Sequence, residues 1–334
     1  WRRFILWIEA VTIPNLQVPK TPPTMPQKSE TTDAPSTCPL CKRNKSTSFP
    51  ISYSLDQKQF NARKCLSCNF VYLAPRPSRR EIELMYSDEY FLHDGADFGA
   101  HSAQDYETAA RLGSVKFPEI LGWIKKYKTD GKFFDIGCGM GYFLDHARRN
   151  GFEASGIELA ALGANACKEK FGLGVLQSSF ENYPVGENMY DVIFMGDVLE
   201  HFNEPMEMLQ KAHAMIKPGG IVAVEVPSMF NSITGRLAVA GLNMLGKIKK
   251  MPMPPYHVNE FTPRTLDLML KTAGFGTVRV VQRIKSPQNI TLRGNMFEKT
   301  TKMLLQYPNY VITRTAGILG DRLLGIGMKP SLRS

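Results

Sequence analysis

The chain has 334 residues, 43% of them hydrophobic, and a formal net charge of +10. That length accommodates one large core together with a smaller unit. No apolar run reaches the roughly 20 residues that a membrane-spanning helix needs, so composition excludes an ordinary transmembrane helix.

Residues 1–35 are rich in Pro, Thr, Ser and Gln and are expected to form a disordered tail. Trp1 to Val11 is apolar with Arg2 and Arg3, too short for a span and without a small-residue cleavage site before Pro14. The first residue is Trp, and Met25 offers an alternative start. Two C-x-x-C pairs follow, Cys38–Cys41 and Cys65–Cys68, with 23 residues between them. Two such knuckles can supply four thiolates to a tetrahedral zinc ion, and a site filled by four cysteines is structural because no position stays open. Phe49 to Tyr53 and Gln59 to Ala62 suit short strands, giving a zinc ribbon over residues 36–76. Disulfides are the competing assignment, and the chain carries no mark of secretion that would favour them; a cytoplasmic location is expected. Residues 77–130 form a helical linker or lid, in which Tyr90 and Phe91 either reach the site or pack the linker onto the core.

From residue 131 the pattern changes to alternating short strands and helices, which argues a parallel, doubly wound α/β sheet. Lys132 to Ile136 runs into Gly137-Cys138-Gly139-Met140-Gly141 and then into a helix from about Tyr142 to Asn150. Glycines permit a tight turn and close ligand approach, and the helix aims its free N–H groups at that turn. The next strand ends at Glu158, 23 residues after Asp135, where a carboxylate can accept ribose hydroxyls. The dinucleotide fingerprint is G-x-G-x-x-G. Here the third glycine comes one residue early and Asp135 precedes the turn. A carboxylate there repels a phosphate and suits an ammonium group, as in S-adenosylmethionine (SAM). Cys138 and Cys167 are left over from the quartet, and Cys138 reads as a small buried side chain in the turn.

Tyr190 to Met195 reads as a buried strand, followed by Gly196-Asp197-Val198-Leu199-Glu200-His201 and a helix from about Glu204 to Ile216. Lys217-Pro218-Gly219-Gly220 is expected to stop that helix before a strand from Ile221 to Val226. Taken from Lys132 to Pro227, these motifs resemble the class I SAM-dependent methyltransferases. The resemblance implies a Rossmann-like seven-stranded sheet whose last strand is antiparallel. It further implies a cofactor site made by Asp135, Gly137, Cys138, Gly139, Gly141, Glu158 and Gly196. By family position Leu159, Ser179 and Phe180 lie near the adenine, and Tyr90 contributes from the lid.

Asp197, Glu200 and His201 follow a strand's C-terminal end, where open α/β sheets bind ligands. His201 titrates near neutrality and is the expected general base, the competing role being to satisfy backbone groups of the next helix. His257 stands in His257-Val258-Asn259-Glu260-Phe261-Thr262-Pro263, with Thr262 capping the next helix and Pro263 at its first position. This resembles an element of the ubiquinone-biosynthesis-like methyltransferases and would fold His257 over the same strand ends. Some relatives hold a divalent metal with a similar acid–acid–His–His set; Asp197 in place of Glu weakens that case, and a metal-free histidine base is preferred.

Two insertions, at about 229–255 and 286–320, interrupt the final third, which otherwise holds a helix (Leu266 to Ala273) and two strands (Gly276 to Arg283, Asp321 to Met328). The first insertion is apolar with a basic end and reads as a membrane-surface helix, a lid or a helix packed on the core. Net charge is +9 over residues 1–80, −11 over 81–228 and +12 over 229–334. Basic flanks either meet an anionic acceptor or pair with the acidic core. The expectation is methyl transfer to a small-molecule, sugar or lipid-linked acceptor. An RNA methyltransferase and an inactive zinc-ribbon adaptor are the alternatives, with oligomeric state left open.

Overall fold

The computed structural model describes residues 37–55, 57–85, 111, 113–251, 254–287 and 296–331. The expected tail and Tyr90 lie outside the described residues. The first strands are β1 (Ser46–Leu55), β2 (Lys58–Cys65) and β3 (Val71–Ala74), an antiparallel meander. Alternation places Ile51, Tyr53, Phe60, Ala62, Val71 and Leu73 in one apolar cluster. Phe70 and Tyr72, one step out of phase, join the main core instead. These strands are longer than the expected segments, and β3 is an additional one. A short helix, α1 (Arg79–Met85), follows.

The larger unit opens with α2 (Phe117–Lys125) and then alternates β4 (Gly131–Ile136), α3 (Tyr142–Arg149), β5 (Phe152–Glu158), α4 (Ala161–Phe171) and β6 (Val175–Gln177). It continues through β7 (Tyr190–Gly196), α5 (Pro205–Met215) and β8 (Ile216–Pro227). After α6 (Ile233–Met244) come two-residue strands β9 (Lys249–Lys250) and β10 (Asn259–Glu260), and α7 (Pro263–Thr272). β11 (Thr277–Arg283), α8 (Met296–Ala316) and β12 (Arg322–Met328) end the fold. The seven-stranded sheet has the order β11-β12-β8-β7-β4-β5-β6. Only β12 runs against the others, paired antiparallel to both β8 and β11. Phe133 and Phe134 on β4 are both buried, in clusters on opposite faces, as a central parallel strand covered by helices requires. None of the described helices is long and apolar enough to cross a membrane.

One local expectation changes. Lys217-Pro218-Gly219-Gly220 does not separate helix from strand but bulges inside β8, which begins at Ile216. Pairing with β7 resumes after a register shift between Tyr190 and Val192, and Gly219 takes φ +75° to make it. The capping box at Thr262 forms as expected, with Thr262 and Thr265 exchanging side-chain and backbone hydrogen bonds.

The ribbon is bonded into the rest of the chain. Its sheet has the order β10-β3-β2-β1-β9, so both edges are covered by strands from the segment after β8. Covering both edges removes the unpaired N–H and C=O rows of a free ribbon. On its other face Phe70 meets Phe261 edge-on at 5.2 Å.

Candidate active site

At the end of β4 the chain turns through Gly137, Gly139 and Gly141, with φ of +69°, +56° and +81°. A β-carbon on Gly137 would lie 2.6 Å from Val198 Cγ2, and one on Gly141 2.8 Å from Cys167 Sγ. Left-handed backbone and lack of space therefore both demand glycine there. Glu158 fastens the turn: Oε2 accepts the Gly139 N–H at 2.8 Å and Oε1 the Ala160 N–H at 3.0 Å. Each oxygen keeps acceptor capacity for a hydroxyl. Asp135 is 2% exposed. Burial, and then Glu158, push its pKa well above the usual carboxylate range. A buried acid beside a tight glycine cradle and Glu158 fits a cationic ligand with a ribose, and hence SAM.

Leu159 is exposed beside Glu158, and Ser179 lies in a turn where its Oγ accepts the Asn182 N–H at 3.4 Å. Phe180 is buried in the main core beneath Lys211, so its ring packs the fold. Cys138 lies 3.8 Å from Cys167 sulfur to sulfur, and that contact and burial keep its thiol protonated. Gly196 closes β7 and pairs with Glu225 on β8.

Past Gly196 the expected acidic set divides. Asp197, at φ +57°, pairs with Arg322 and, at 3.2 Å, with Lys116. Burial opposes its ionisation, but these two cations hold its pKa well below the usual range. Lys116 also reaches the fully buried Glu225 at 2.7 Å, and Arg283 closes on Glu225 at 2.5 Å and on Glu119 at 3.0 Å. Asp197 thus belongs to an ion-pair chain tying β7, β8, β11 and β12 to α2 and the turn before it. Its carboxylate is engaged by Arg322 and Lys116. The sequence signal for this chain was Glu225, the one charge in the apolar run Ile221 to Val226.

Glu200, His201 and His257 come together. Their ligand atoms lie within 4.8 Å of one another. His201 Nε2 is 3.7 Å and His257 Nε2 4.0 Å from Glu200 Oε1. Glu200 is fully buried, and neither carboxylate oxygen has a hydrogen-bond partner among the described residues. Burial, and then Asp197, raise its pKa well above the usual range. Burial and the neighbouring His201 lower the pKa of His257 to about 3, so it stays neutral. His201 Nδ1 lies 2.7 Å from the Tyr256 carbonyl. A carbonyl only accepts, so Nδ1 carries the proton and Nε2 the lone pair.

The covered edge of the ribbon holds this cluster in register. Asn259 Nδ2 donates to the Phe202 carbonyl at 2.7 Å and the Glu200 carbonyl at 3.4 Å, and its Oδ1 accepts from Arg76 Nη2 at 3.0 Å. The Val258 N–H donates to the Glu200 carbonyl at 3.1 Å, and the Leu73 N–H donates to the Val258 carbonyl at 3.0 Å. Asn259 and Arg76 carried no sequence motif, since their role exists only once β10 pairs with β3.

The four ribbon cysteines also meet. Sγ atoms of Cys38 and Cys68, and of Cys41 and Cys65, lie 3.5 Å apart, and all four within 4.8 Å. Four sulfurs about 2.3 Å from one zinc ion would stand about 3.8 Å apart, whereas a disulfide needs about 2.05 Å. The two knuckles repeat one hydrogen-bond pattern. Cys38 N–H donates to Arg43 O at 2.8 Å and Cys65 N–H to Phe70 O at 2.9 Å, while Lys42 N–H and Asn69 N–H return to Cys38 O and Cys65 O. Lys42 and Asn69 both take positive φ. Burial pushes the Cys38 thiol up to about 11 and raises that of Cys68, while at Cys65 backbone N–H groups of Cys68 and Ser67 outweigh burial and hold the thiol down to about 7. The donor set and spacing fit zinc.

A family model described as a methyltransferase domain matches residues 114–280, half of the chain. The ubiquinone biosynthesis O-methyltransferase of Pectobacterium carotovorum subsp. carotovorum is 25% identical over 162 residues, covering 46% of this chain and 66% of that protein. Its counterpart in Vibrio vulnificus is 31% identical over 106 residues, covering 28% of this chain and 45% of that one. The match therefore spans less than two thirds of each relative. A chain in the Haloferax volcanii complex of the Trm112 methyltransferase activator with a methyltransferase has the same fold, with TM-score 0.52 and 14% identity over 72% of this chain and 97% of that chain. The sheet order and glycine turn define the class I methyltransferase fold, and the chain belongs to the methyltransferase-domain family.

Proposed function

We propose that the protein transfers a methyl group from SAM to a hydroxyl of a small-molecule, sugar or lipid-linked acceptor. One juxtaposition carries this reading. Neighbouring strands β4 and β7 lead, respectively, into the glycine turn after the buried Asp135 and into the segment that carries Glu200 and His201, beside His257. The O-methyltransferase names of the relatives support a hydroxyl acceptor.

Asp135 would hold the ammonium and Glu158 the ribose hydroxyls, with Leu159 and Ser179 flanking the base and Gly196 leaving room at the strand end. When bound, SAM supplies an electrophilic methyl carbon. His201 Nε2 takes the acceptor proton, with Glu200 Oε1 3.7 Å away. His257, held neutral, offers a second nitrogen to orient the hydroxyl, while Asp197 anchors the turn through Arg322 and Lys116. Zinc at Cys38, Cys41, Cys65 and Cys68 would be structural and would fix the ribbon whose edge holds Asn259. The same thiols need a reducing compartment, consistent with the cytoplasm.

A second reading rests on the two unpartnered oxygens of Glu200. Two imidazole nitrogens and a carboxylate suit a first-row divalent ion, which would polarise the acceptor hydroxyl. Restoration of turnover in chelated enzyme by a first-row divalent ion such as manganese, but not by zinc alone, supports this reading over the metal-free base.

The test uses isotopically labelled SAM with RNA, nucleotide sugars and a lipid extract offered separately, read by mass spectrometry. His201→Ala should then lower turnover roughly 10²–10⁴-fold at unchanged SAM affinity. Unchanged turnover removes the base assignment. A chain that binds no SAM in calorimetry is an adaptor, and a methylated RNA product would replace the small acceptor.

A further inference from the structure

Over residues 304–316 of helix α8 the fully buried side chains are polar, Gln306, Asn309 and Thr313, while Leu304 (69% exposed), Tyr307 (65%) and Val311 face outward. Hydrogen bonds lock this rotation. Asn309 Oδ1 accepts the Ile233 N–H at 3.2 Å and its Nδ2 donates to the Leu319 carbonyl at 3.1 Å, while Gln306 donates to the Lys285 carbonyl at 3.4 Å. The bond to Ile233 also ties α8 to the first turn of α6. On α6 and the turn after it, Leu237, Met244 (83% exposed) and Ile248 are exposed, while Leu242 packs against the ribbon. Apolar side chains on both of these bonded helices are thus exposed, on α8 opposite a bonded polar interior, and exposed apolar surface beyond scattered single residues marks an interaction site.

Charge selects the occupant. Residues 229–259 contain Arg236, Lys247, Lys249 and Lys250 and no Asp or Glu. The three lysines stand exposed at the end of the α6 segment, with Lys249 and Lys250 on the ribbon's edge strand β9. Two copies of the α6 segment brought together would oppose lysine to lysine with no carboxylate from residues 229–259 between them. An anionic lipid surface satisfies both features: headgroups meet the lysines, and the apolar faces enter the boundary with the acyl chains. Topology gives the surface its place. α6 follows β8 and α8 follows β11, and these strands run in the same direction as β7. Both helices therefore leave the sheet at the edge that carries Glu200 and His201.

We infer that the outer faces of α6 and α8, with Lys247, Lys249 and Lys250, dock this protein on an anionic lipid bilayer. The helices lie in the headgroup layer and the site edge of the sheet faces the membrane. This inference does not depend on methyl transfer.

The full chain is sedimented with vesicles of phosphatidylcholine alone and of phosphatidylcholine with phosphatidylglycerol. Binding is expected to the mixed vesicles only, weakening as salt rises. The triple variant Lys247→Gln/Lys249→Gln/Lys250→Gln should lose on the order of a hundredfold in partition, at about fivefold for each lysine near an anionic surface. Leu304→Ser/Tyr307→Ser should also lose at least about tenfold by removing buried apolar area. Both variants alter exposed side chains and should keep the wild-type melting temperature and SAM affinity, so a loss of partition reads the surface. Absence of binding to mixed vesicles, or variants that bind like wild type, overturns the inference. So does a wild-type dimer in sedimentation velocity that Leu304→Ser/Tyr307→Ser converts to monomer, which would make the surface a self-interface.

Discussion

Asn259→Ala tests whether the edge of the ribbon holds the reaction site. Asn259 is 1% exposed, so truncation leaves a small cavity that solvent does not readily fill. The Glu200 carbonyl keeps its bond from the Val258 N–H, and Arg76 keeps the Asn203 carbonyl. The Phe202 carbonyl loses the 2.7 Å bond from Nδ2. An orphaned buried acceptor costs about 1–3 kcal/mol, and a lost hydrogen bond to a charged group about 1.5–3 kcal/mol, part of which Arg76 recovers. The expected loss is therefore about 3 kcal/mol, seen as a lower urea midpoint at unchanged slope. Function should divide in a characteristic way. The glycine turn and Glu158 lie on β4 and β5, away from β10, so SAM affinity in calorimetry should hold. Turnover on the acceptor found by the labelled-SAM screen should fall at least about tenfold as Glu200 and His257 lose their register. A stability loss below about 1 kcal/mol with unchanged turnover would refute the reasoning. An equal fall in SAM affinity would instead move Asn259 into the cofactor site.

Further outcomes follow from other parts of the structure. Glu158→Ala removes both the expected ribose acceptor and the clamp on the Gly139 N–H; SAM affinity should drop roughly 10²-fold in calorimetry, at about 1.5–3 kcal/mol per hydrogen bond to a charged group. Elemental analysis should return zinc bound at the ribbon, and Cys68→Ser should abolish it and lower the melting temperature, because metal binding energy is folding energy at such sites. Metal-free protein as stable as the holoprotein would count against that assignment. Burial raises the pKa of Glu260 from its ordinary 4.5 to about 8. The unfolded chain then releases this proton first, so stability falls as pH rises between those values. Glu260→Gln should remove that slope, so its advantage in melting temperature is absent near pH 4 and greatest above pH 8; a constant difference across the range would exclude Glu260 as its source.

Local chemistry was legible in the sequence wherever the cause of a structure lies within a few residues of it. The glycine spacing from Gly137 to Gly141, the acid at Glu158, the cap at Thr262 and the two C-x-x-C knuckles each act over one turn. Alternating elements likewise announced the doubly wound sheet, because an apolar strand such as Phe133 to Ile136 has to be covered on both faces. The Lys217 to Gly220 stretch misled because Pro and Gly mark a break without saying whether it ends an element or bulges it.

Tertiary structure decided which of those residues meet and which side of each element faces in. Asp197 carries the same charge as Glu200, yet Lys116 and Arg322, 81 and 125 residues away, neutralise one and leave the other bare. β9 and β10 are two residues each, too short to leave a period, and exist only because the ribbon has edges to cover. On α8 the helical spacing of Gln306, Asn309 and Thr313 is present in the sequence, but only the hydrogen bonds of Gln306 and Asn309 to Ile233, Leu319 and Lys285 turn the polar stripe inward. A sequence specifies the chemistry each residue can offer; the partner that uses it is a matter of distance, which only the folded chain supplies.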